Sequence, residues 1–221
     1  MALYVDSAYL EDIVQVAETV PLAGVTTNPT ILLAARERGQ TQPPETVLGE
    51  LLRSVGGVIF MQPGATDDHE MYQEALAYIQ ASPERVIPKI PMTHVGMRVA
   101  KRLKHQGRRI AFTAVTSVTQ VYSAAVIHAD FVIPYYNRLE RSGIDASERI
   151  AEMADLLHNH GLPTRILVAS IKSTEEAISA LLAGAHDLTA MPAVLLDMLT
   201  DPLSEEAVEK FTQDWQKMNK L

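Results

Sequence analysis

Residues 86–115 read VIPKIPMTHVGMRVAKRLKHQGRRIAFTAV, with a short apolar run at each end, Val86–Ile90 and Ile110–Val115. The longer segment between these runs spaces its apolar residues as one face of a helix does. This order indicates a strand, a helix and a second strand. Strands that are joined through a helix lie parallel in one sheet, so the stretch predicts a βαβ unit.

The same alternation extends along the whole chain and predicts eight strands. Capping signals agree with it, because Asn28 stands before Pro29 and Ser173 with Glu176 has the spacing of a capping box. The other predicted strands are Ala2–Val5, Gly24–Thr26, Val58–Gln62, Phe131–Pro134, Arg165–Ser170 and Asp187–Thr189, with helical segments such as Asp67–Ala81, Ser147–Asn159 and Ser173–Ala183. Eight units of this size predict an α/β fold, a closed (β/α)₈ TIM barrel that forms one domain over residues 1–221. A doubly wound open sheet is the alternative.

Composition limits the classes of function. The chain has 221 residues, of which 47% are hydrophobic, and a net charge of −8, which gives no electrostatic reason to bind nucleic acid. It has no cysteine, so disulfides, thiol nucleophiles and cysteine-ligated metals are excluded. The N-terminus lacks a basic segment followed by an apolar run, and no apolar stretch is long enough to span a bilayer. We therefore expect a soluble, cytoplasmic protein with no membrane partner.

Polar residues stand at the C-terminal ends of seven of the eight predicted strands. In a (β/α)₈ barrel these ends carry the loops that form active sites. The residues are Asp6, Thr26, Asn28, Gln62, Lys89, Thr113, Tyr135, Arg138, Ser170 and Lys172. We expect their side chains to share one rim of the barrel.

Lys89 is the most informative of these residues because it interrupts an apolar run. Strands of a parallel barrel are covered on both faces, so the lysine should be buried. Burial disfavours the ammonium form, lowers the pKa and frees a lone pair that can attack a ketone carbon. The alternative is a structural lysine whose ammonium is paired with Asp6.

Charged residues near Lys89 also have two interpretations. Asp6 is a candidate acid and base for imine chemistry, or the N-cap of the first helix together with Ser7. Lys172 lies past its strand, close to the next helix N-terminus, where an anion is favoured. With Arg138 it indicates a phosphate or sulfonate group on the substrate, unless both are solvated loop cations.

Other polar residues give weaker signals. Capping already explains Asn28, while Thr113 and Gln62 are candidates to bind a water or to satisfy hydrogen bonds within the barrel. The histidines show no ligand pattern, since His158 and His160 are two residues apart and lie on different helix faces. The motifs G-x-G-x-x-G, P-loop and G-x-S-x-G are absent. We therefore expect neither a metal nor a cofactor.

Six motifs carry a resemblance that covers nearly the whole chain. They are Leu3-Tyr4-Val5-Asp6, Gly24-Val25-Thr26-Thr27-Asn28-Pro29, Pro88-Lys89-Ile90-Pro91, Pro134-Tyr135-Tyr136-Asn137-Arg138, Ala169-Ser170-Ile171-Lys172 and Phe211-Thr212-Gln213-Asp214-Trp215. In these motifs the sequence resembles the small transaldolase and fructose-6-phosphate aldolase family. The resemblance implies a (β/α)₈ barrel in which Lys89 is the Schiff-base lysine and Asp6 the acid/base aspartate.

The resemblance also implies roles for the other rim residues and a reaction. The residues would orient the imine (Asn28), hold and activate water (Gln62, Thr113 and Tyr135) or bind the substrate and its anionic tail (Thr26, Arg138, Ser170 and Lys172). The reaction would cleave the C3–C4 bond of a ketose with an anionic group at C6, as in fructose 6-phosphate or 6-deoxy-6-sulfofructose. A dihydroxyacetone unit would then be transferred to another aldehyde or released.

Details of the motifs leave the choice between transaldolase and aldolase open. Gln62 and Tyr135 resemble the aldolase type, since transaldolases more often have glutamate and phenylalanine there. Pro63, Ile133 and Thr116-Ser117 depart from the usual aldolase pattern. The same residues are also compatible with a non-catalytic barrel that binds a sugar phosphate, or with a metal-dependent aldolase.

The last predicted helix, residues 204–221, has an apolar stripe of Ala207, Phe211, Trp215 and Met218. The stripe could pack on its own barrel, as ordinary core, or on a neighbouring subunit. The resemblance implies the second arrangement, in a ring-shaped homo-oligomer that is commonly a pentamer or a decamer.

Overall fold

A computed structural model describes residues 1–219, which form a closed barrel of eight parallel strands. The strands are β1 (Leu3–Asp6), β2 (Leu22–Thr26), β3 (Val58–Met61), β4 (Val86–Pro91), β5 (Ala111–Val115), β6 (Phe131–Pro134), β7 (Arg165–Ile171) and β8 (Asp187–Ala190). They pair in chain order, and β8 closes the barrel against β1 through the pair Tyr4 and Thr189. The predicted (β/α)₈ barrel is confirmed, and the open sheet is wrong.

Helices follow every strand and surround the barrel. They are α1 (Leu10–Ala17), α2 (Pro29–Glu37), α3 (Pro44–Ser54), α4 (Asp68–Ala81), α5 (His94–His105), α6 (Val118–Val126), α7 (Tyr136–Arg141), α8 (Ala146–Asn159), α9 (Thr174–Leu182), α10 (Pro192–Asp197) and α11 (Pro202–Met218). Over residues 1–219, none of these helices combines the length and the apolar character needed to cross a bilayer.

The two helix starts with predicted caps differ in outcome. Asn28 caps α2 as expected, because its side chain accepts a hydrogen bond of 2.9 Å from the Ile31 amide. At α9 the Ser173 hydroxyl accepts from the Glu176 amide, but the Glu176 carboxylate accepts from the Lys172 amide at 2.7 Å. The capping box is therefore only half formed, since the carboxylate reaches one residue further back than the motif requires.

Apolar side chains form one layer inside the barrel and another between the barrel and the helices. Inside, the Phe60 ring makes edge-to-face contacts with Tyr4 and Phe131 at centroid distances of 5.4 and 5.2 Å. On β4, Ile87 belongs to this inner layer, whereas Ile90 belongs to the outer layer. Because side chains alternate along a strand, Lys89 points inward, one step above Ile87.

The C-terminal helix α11 is attached to the barrel but does not pack on it. None of its residues is buried, and Phe211 and Trp215 are 68% and 63% exposed. The interpretation of its stripe as ordinary core of the same chain is wrong, because the stripe faces solvent. Residues 220 and 221 of the predicted 204–221 segment lie outside the described residues.

The close pairing of β2 with β3 depends on Gly24. A Cβ atom at this residue would lie 1.8 Å from the carbonyl oxygen of Val58, its register partner. Backbone atoms cannot move aside, so Gly24→Ala should lower the free energy of unfolding by about 3 kcal/mol or more, as measured by denaturant unfolding. Gly56→Ala is the control, because nothing lies within 4 Å of its added carbon. Equal losses in the two variants would contradict the close approach.

Candidate active site

The C-terminal ends of the strands surround a cavity of about 620 Å³, a volume typical of small-molecule sites. Nine of the ten polar residues that the sequence places at the rim line this cavity. They are Asp6, Asn28, Gln62, Lys89, Thr113, Tyr135, Arg138, Ser170 and Lys172. The barrel thus brings together residues that lie far apart in the sequence, from Asp6 to Lys172.

Lys89 lies at the floor of the cavity and is only 1% exposed. Burial lowers the pKa of its ammonium group from the ordinary value, while the negative charge of Asp6 acts in the opposite direction. Among residues 1–219, no carboxylate oxygen comes within 4.0 Å of its amine, so a direct ion pair with Asp6 is not formed there. An uncharged amine that faces an open cavity is a competent nucleophile.

Asp6 ends β1 and lines the same cavity. Burial raises the pKa of its carboxyl group, and the charge of Lys89, the Thr26 hydroxyl and the charge of Lys172 lower it in part. Asp6 is not a helix cap, because α1 begins only at Leu10 and the residue at its N-cap makes no side-chain capping bond. The N-cap interpretation of Asp6 is therefore wrong, and its role as acid and base stays a prediction.

Thr26 is the tenth predicted residue and does not line the cavity. Its side chain is fully buried, and its hydroxyl donates a hydrogen bond to the Asp6 carboxylate. The same hydroxyl oxygen lies 2.6 Å from that of Thr189, on β8. In the structure Thr26 contacts Asp6, and its expected contact with a substrate stays a prediction. Sequence reasoning missed Thr189, although the alternation of Asp187 and Thr189 within an apolar strand places both on the inner face.

Two hydroxyl groups and an amide line the same cavity as Lys89. The hydroxyl oxygens of Thr113 and Tyr135 are 2.7 Å apart, on or next to the neighbouring strands β5 and β6. Gln62 approaches from the end of β3 and lines the same space. Hydroxyl and amide groups both donate and accept hydrogen bonds, so this wall of the cavity can hold and orient a water molecule.

Two residues of the rim have a strained backbone that the sequence did not predict. Ala114 and Ser170 have φ values of 57° and 61°, in the left-handed region that residues with a side chain rarely adopt. Both lie where the strand register shifts, between Thr113 and Val115 and between Val168 and Ile171. Both residues line the cavity, and bulges are common beside active sites.

Two cations at the rim are free to bind an anion. The guanidinium carbon of Arg138 lies 4.7 Å from the centre of the Tyr135 ring, and the Lys172 amine lies 3.7 Å from the sulfur of Met191. Neither cation forms an ion pair with a carboxylate of residues 1–219. They are therefore available for a phosphate or sulfonate group.

A third cation, Arg38, also lines the cavity but is already neutralised. Its guanidinium pairs with the Asp12 carboxylate, with Nη2 and Oδ1 2.9 Å apart, and stacks on the Tyr9 ring at 3.7 Å. Sequence reasoning missed this cluster, because its members come from the start of α1 and the end of α2 and follow no spacing pattern. Over the described part of the chain, no three His, Asp or Glu side chains converge as metal ligands would.

A family model described as Transaldolase/Fructose-6-phosphate aldolase matches residues 3–221. The chain belongs to this family. Membership supports an enzyme of the transaldolase or aldolase type, in agreement with a cavity at the C-terminal face of the barrel.

Among solved structures, the barrel is similar to a double variant of flavocytochrome b2 with sulfite bound. The TM-score is 0.62 with 14% sequence identity, over 88% of this chain and 58% of the other. This chain therefore spans less than two thirds of that protein. At this identity the likeness shows a common fold and nothing about the reaction.

The buried amine should reduce stability, as groups adapted for reaction often do. Lys89→Met keeps the volume but removes the desolvated charge, so we expect the free energy of unfolding near pH 7 to rise by about 1–3 kcal/mol. The dependence on pH follows from linkage. Because folding lowers the pKa of Lys89 from the ordinary value of 10.5, the unfolded chain binds more protons than the folded chain between the two pKa values. The wild type therefore gains stability as the pH rises through this range. The difference between wild type and variant should therefore shrink as the pH approaches 10.5.

Lys172→Met is the matched control, because its amine is exposed and its loss should change stability by less than about 0.5 kcal/mol. Urea unfolding of the three proteins at two pH values gives the comparison. A Lys89→Met protein less stable than wild type at neutral pH would contradict the interpretation.

Proposed function

We propose that the chain is a Schiff-base enzyme that cleaves the C3–C4 bond of a ketose and transfers or releases a dihydroxyacetone unit. One observation carries the proposal: the amine of Lys89 is buried inside the barrel, has a lowered pKa and faces a cavity of about 620 Å³. Family membership supports the same class of reaction.

Imine formation begins when the uncharged Lys89 amine attacks the C2 ketone. The carbinolamine then loses its hydroxyl group as water, which requires a proton, and an iminium ion forms. Thr113 and Tyr135 are placed to hold that water, since their hydroxyl groups meet at the cavity wall beside β4. The same groups would return water to the iminium ion when the product is released.

Cleavage requires a base at the C4 hydroxyl. The Asp6 carboxylate takes this proton, the C3–C4 electron pair moves toward the iminium nitrogen, and an aldehyde leaves. An enamine of dihydroxyacetone remains on Lys89. A transaldolase passes this unit to another aldehyde, whereas an aldolase protonates and hydrolyses it.

The substrate carries an anion at C6 in this proposal. Arg138 and Lys172 supply two cations without a carboxylate partner among residues 1–219, and Ser170, near the end of β7, lines the same cavity. Phosphate and sulfonate both present three terminal oxygens, so fructose 6-phosphate and 6-deoxy-6-sulfofructose are the two donors that fit.

Borohydride trapping tests the proposed intermediate. With either donor present, reduction should add a permanent mass to the peptide that contains Lys89, because borohydride converts an imine to a stable secondary amine. Peptide mass spectrometry locates the addition, and Lys89→Ala should remain unmodified. Wild-type protein that turns over a donor without any trapped adduct would contradict the Schiff base.

The two donors also distinguish the possible activities. Each is offered with and without an acceptor aldehyde, and the three-carbon product is identified. Free dihydroxyacetone without an acceptor supports an aldolase, while consumption only with an acceptor supports a transaldolase. Loss of activity in excess chelator, with recovery on addition of zinc, would instead support metal-dependent cleavage.

We further propose that α11 packs on a second copy of this chain in a ring-shaped homo-oligomer. The apolar stripe of the helix is exposed on the single chain, with Phe211 and Trp215 as its largest members. Large exposed apolar patches commonly mark interfaces between proteins.

Charge on this stripe should break the assembly. Phe211→Glu with Trp215→Glu places two carboxylates at the proposed contact and should yield smaller species in sedimentation equilibrium. Gln213→Glu with Gln216→Glu adds the same charge to the opposite face of the helix and should leave the mass unchanged. A wild-type protein with the mass of one chain would contradict the proposal.

A further inference from the structure

Three polar side chains form a hydrogen-bonded series that begins at Asp6, in the cavity wall, and continues to two buried threonines. The hydroxyl oxygens of Thr189, on β8, and Thr26, on β2, are 2.6 Å apart. The Thr26 hydroxyl also contacts Oδ1 of Asp6. Thr26 and Thr189 are both fully buried. The strands β2 and β8 flank β1 in the closed barrel, so this hydrogen-bonded series crosses the strand that carries Asp6.

The direction of these hydrogen bonds follows from counting hydrogens. A threonine hydroxyl has one hydrogen, and a carboxylate can only accept. While Asp6 is ionised, the hydrogen of Thr26 is therefore committed to Asp6. The contact with Thr189 then requires the hydrogen of Thr189, which donates to the Thr26 oxygen.

We infer that Thr189 is a positioning residue for the proposed reaction: its hydroxyl holds Thr26 in the one arrangement in which Thr26 donates to the Asp6 carboxylate. The inference rests on the proposed function, in which Asp6 acts as the base. Thr189 does not line the cavity, so it acts through Thr26 and not on the substrate.

The other groups that face Asp6 act as charges. Lys89, from β4, and Lys172, from the segment between β7 and α9, both stabilise the ionised carboxylate. The Thr26 hydroxyl stabilises it through a hydrogen bond, and burial opposes all three. Loss of the Thr26 bond should therefore raise the pKa of Asp6 and move the acid limb of the activity profile to higher pH.

Thr189→Val tests the inference because it replaces the hydroxyl by a methyl group of similar shape. A methyl carbon cannot donate a hydrogen bond or approach an oxygen as closely as 2.6 Å, so the Thr26 hydroxyl loses this partner and must leave the position in which it contacts both Thr189 and Asp6. We expect kcat to fall about tenfold with little change in KM. The acid limb of the pH–activity profile should move to a pH about half a unit higher. Thr189→Ser retains the hydroxyl and should preserve both values.

Thr164→Val is the matched control for loss of a buried hydroxyl. Thr164 is 1% exposed and donates to the Ala129 carbonyl oxygen at 2.7 Å, at the N-terminal end of the barrel. This variant should lose stability but keep the wild-type pH profile. If Thr189→Val does not fold, Thr189→Cys serves in its place, because a thiol is a weak donor and should produce the same shift.

Activity is measured with fructose 6-phosphate and with 6-deoxy-6-sulfofructose, after borohydride trapping of the wild type. A trapped wild type with a Thr189→Val profile shifted relative to Thr164→Val supports the positioning role. A trapped wild type with identical profiles for the two variants overturns this inference alone. A wild type that neither reacts nor is trapped overturns the proposed function and this inference with it.

Discussion

The desolvation of one amine is the constraint on which the candidate site depends. Lys89 is held inside a closed barrel, above a layer of aromatic and aliphatic side chains, where burial disfavours the ammonium form. Closure between β1 and β8 completes the ring of strands, and Asp6 at the end of β1 lines the same cavity as Lys89.

The same low-polarity interior acts on Asp6 in the opposite sense. Burial raises the pKa of the carboxyl group and lowers that of the lysine, so the two values move toward each other. Their mutual attraction opposes this convergence, and the Thr26 hydroxyl adds to the stability of the carboxylate. A reduced difference between the two pKa values suits the proposed imine chemistry, because protons move in both directions during one reaction cycle.

Much of this arrangement could be predicted from local patterns, and the rest depends on the registration of strands and helices in space. The alternation of short apolar runs with helical segments predicts the barrel, and polar strand ends predict the cavity wall. No local pattern shows that Thr189 meets Thr26 across the β1–β8 closure, or that Ser170 lies at a bulge. The apolar stripe of α11 also shows what sequence cannot decide. A helix face that packs in its own core and one that packs on another subunit have the same apolar spacing.

The distribution of charge around the cavity orients the proposed substrate. Arg38 is neutralised by Asp12 on the side formed by α1 and α2, whereas Arg138 and Lys172 have no carboxylate partner among residues 1–219. An anion therefore gains most on the side of β6 and β7. A ketose bound to Lys89 through C2, with its anionic C6 end on that side, extends its carbon chain across the cavity. Carbon 4 of the proposed substrate would then lie in the cavity that Asp6 also lines, and Asp6 is the carboxylate proposed as its base.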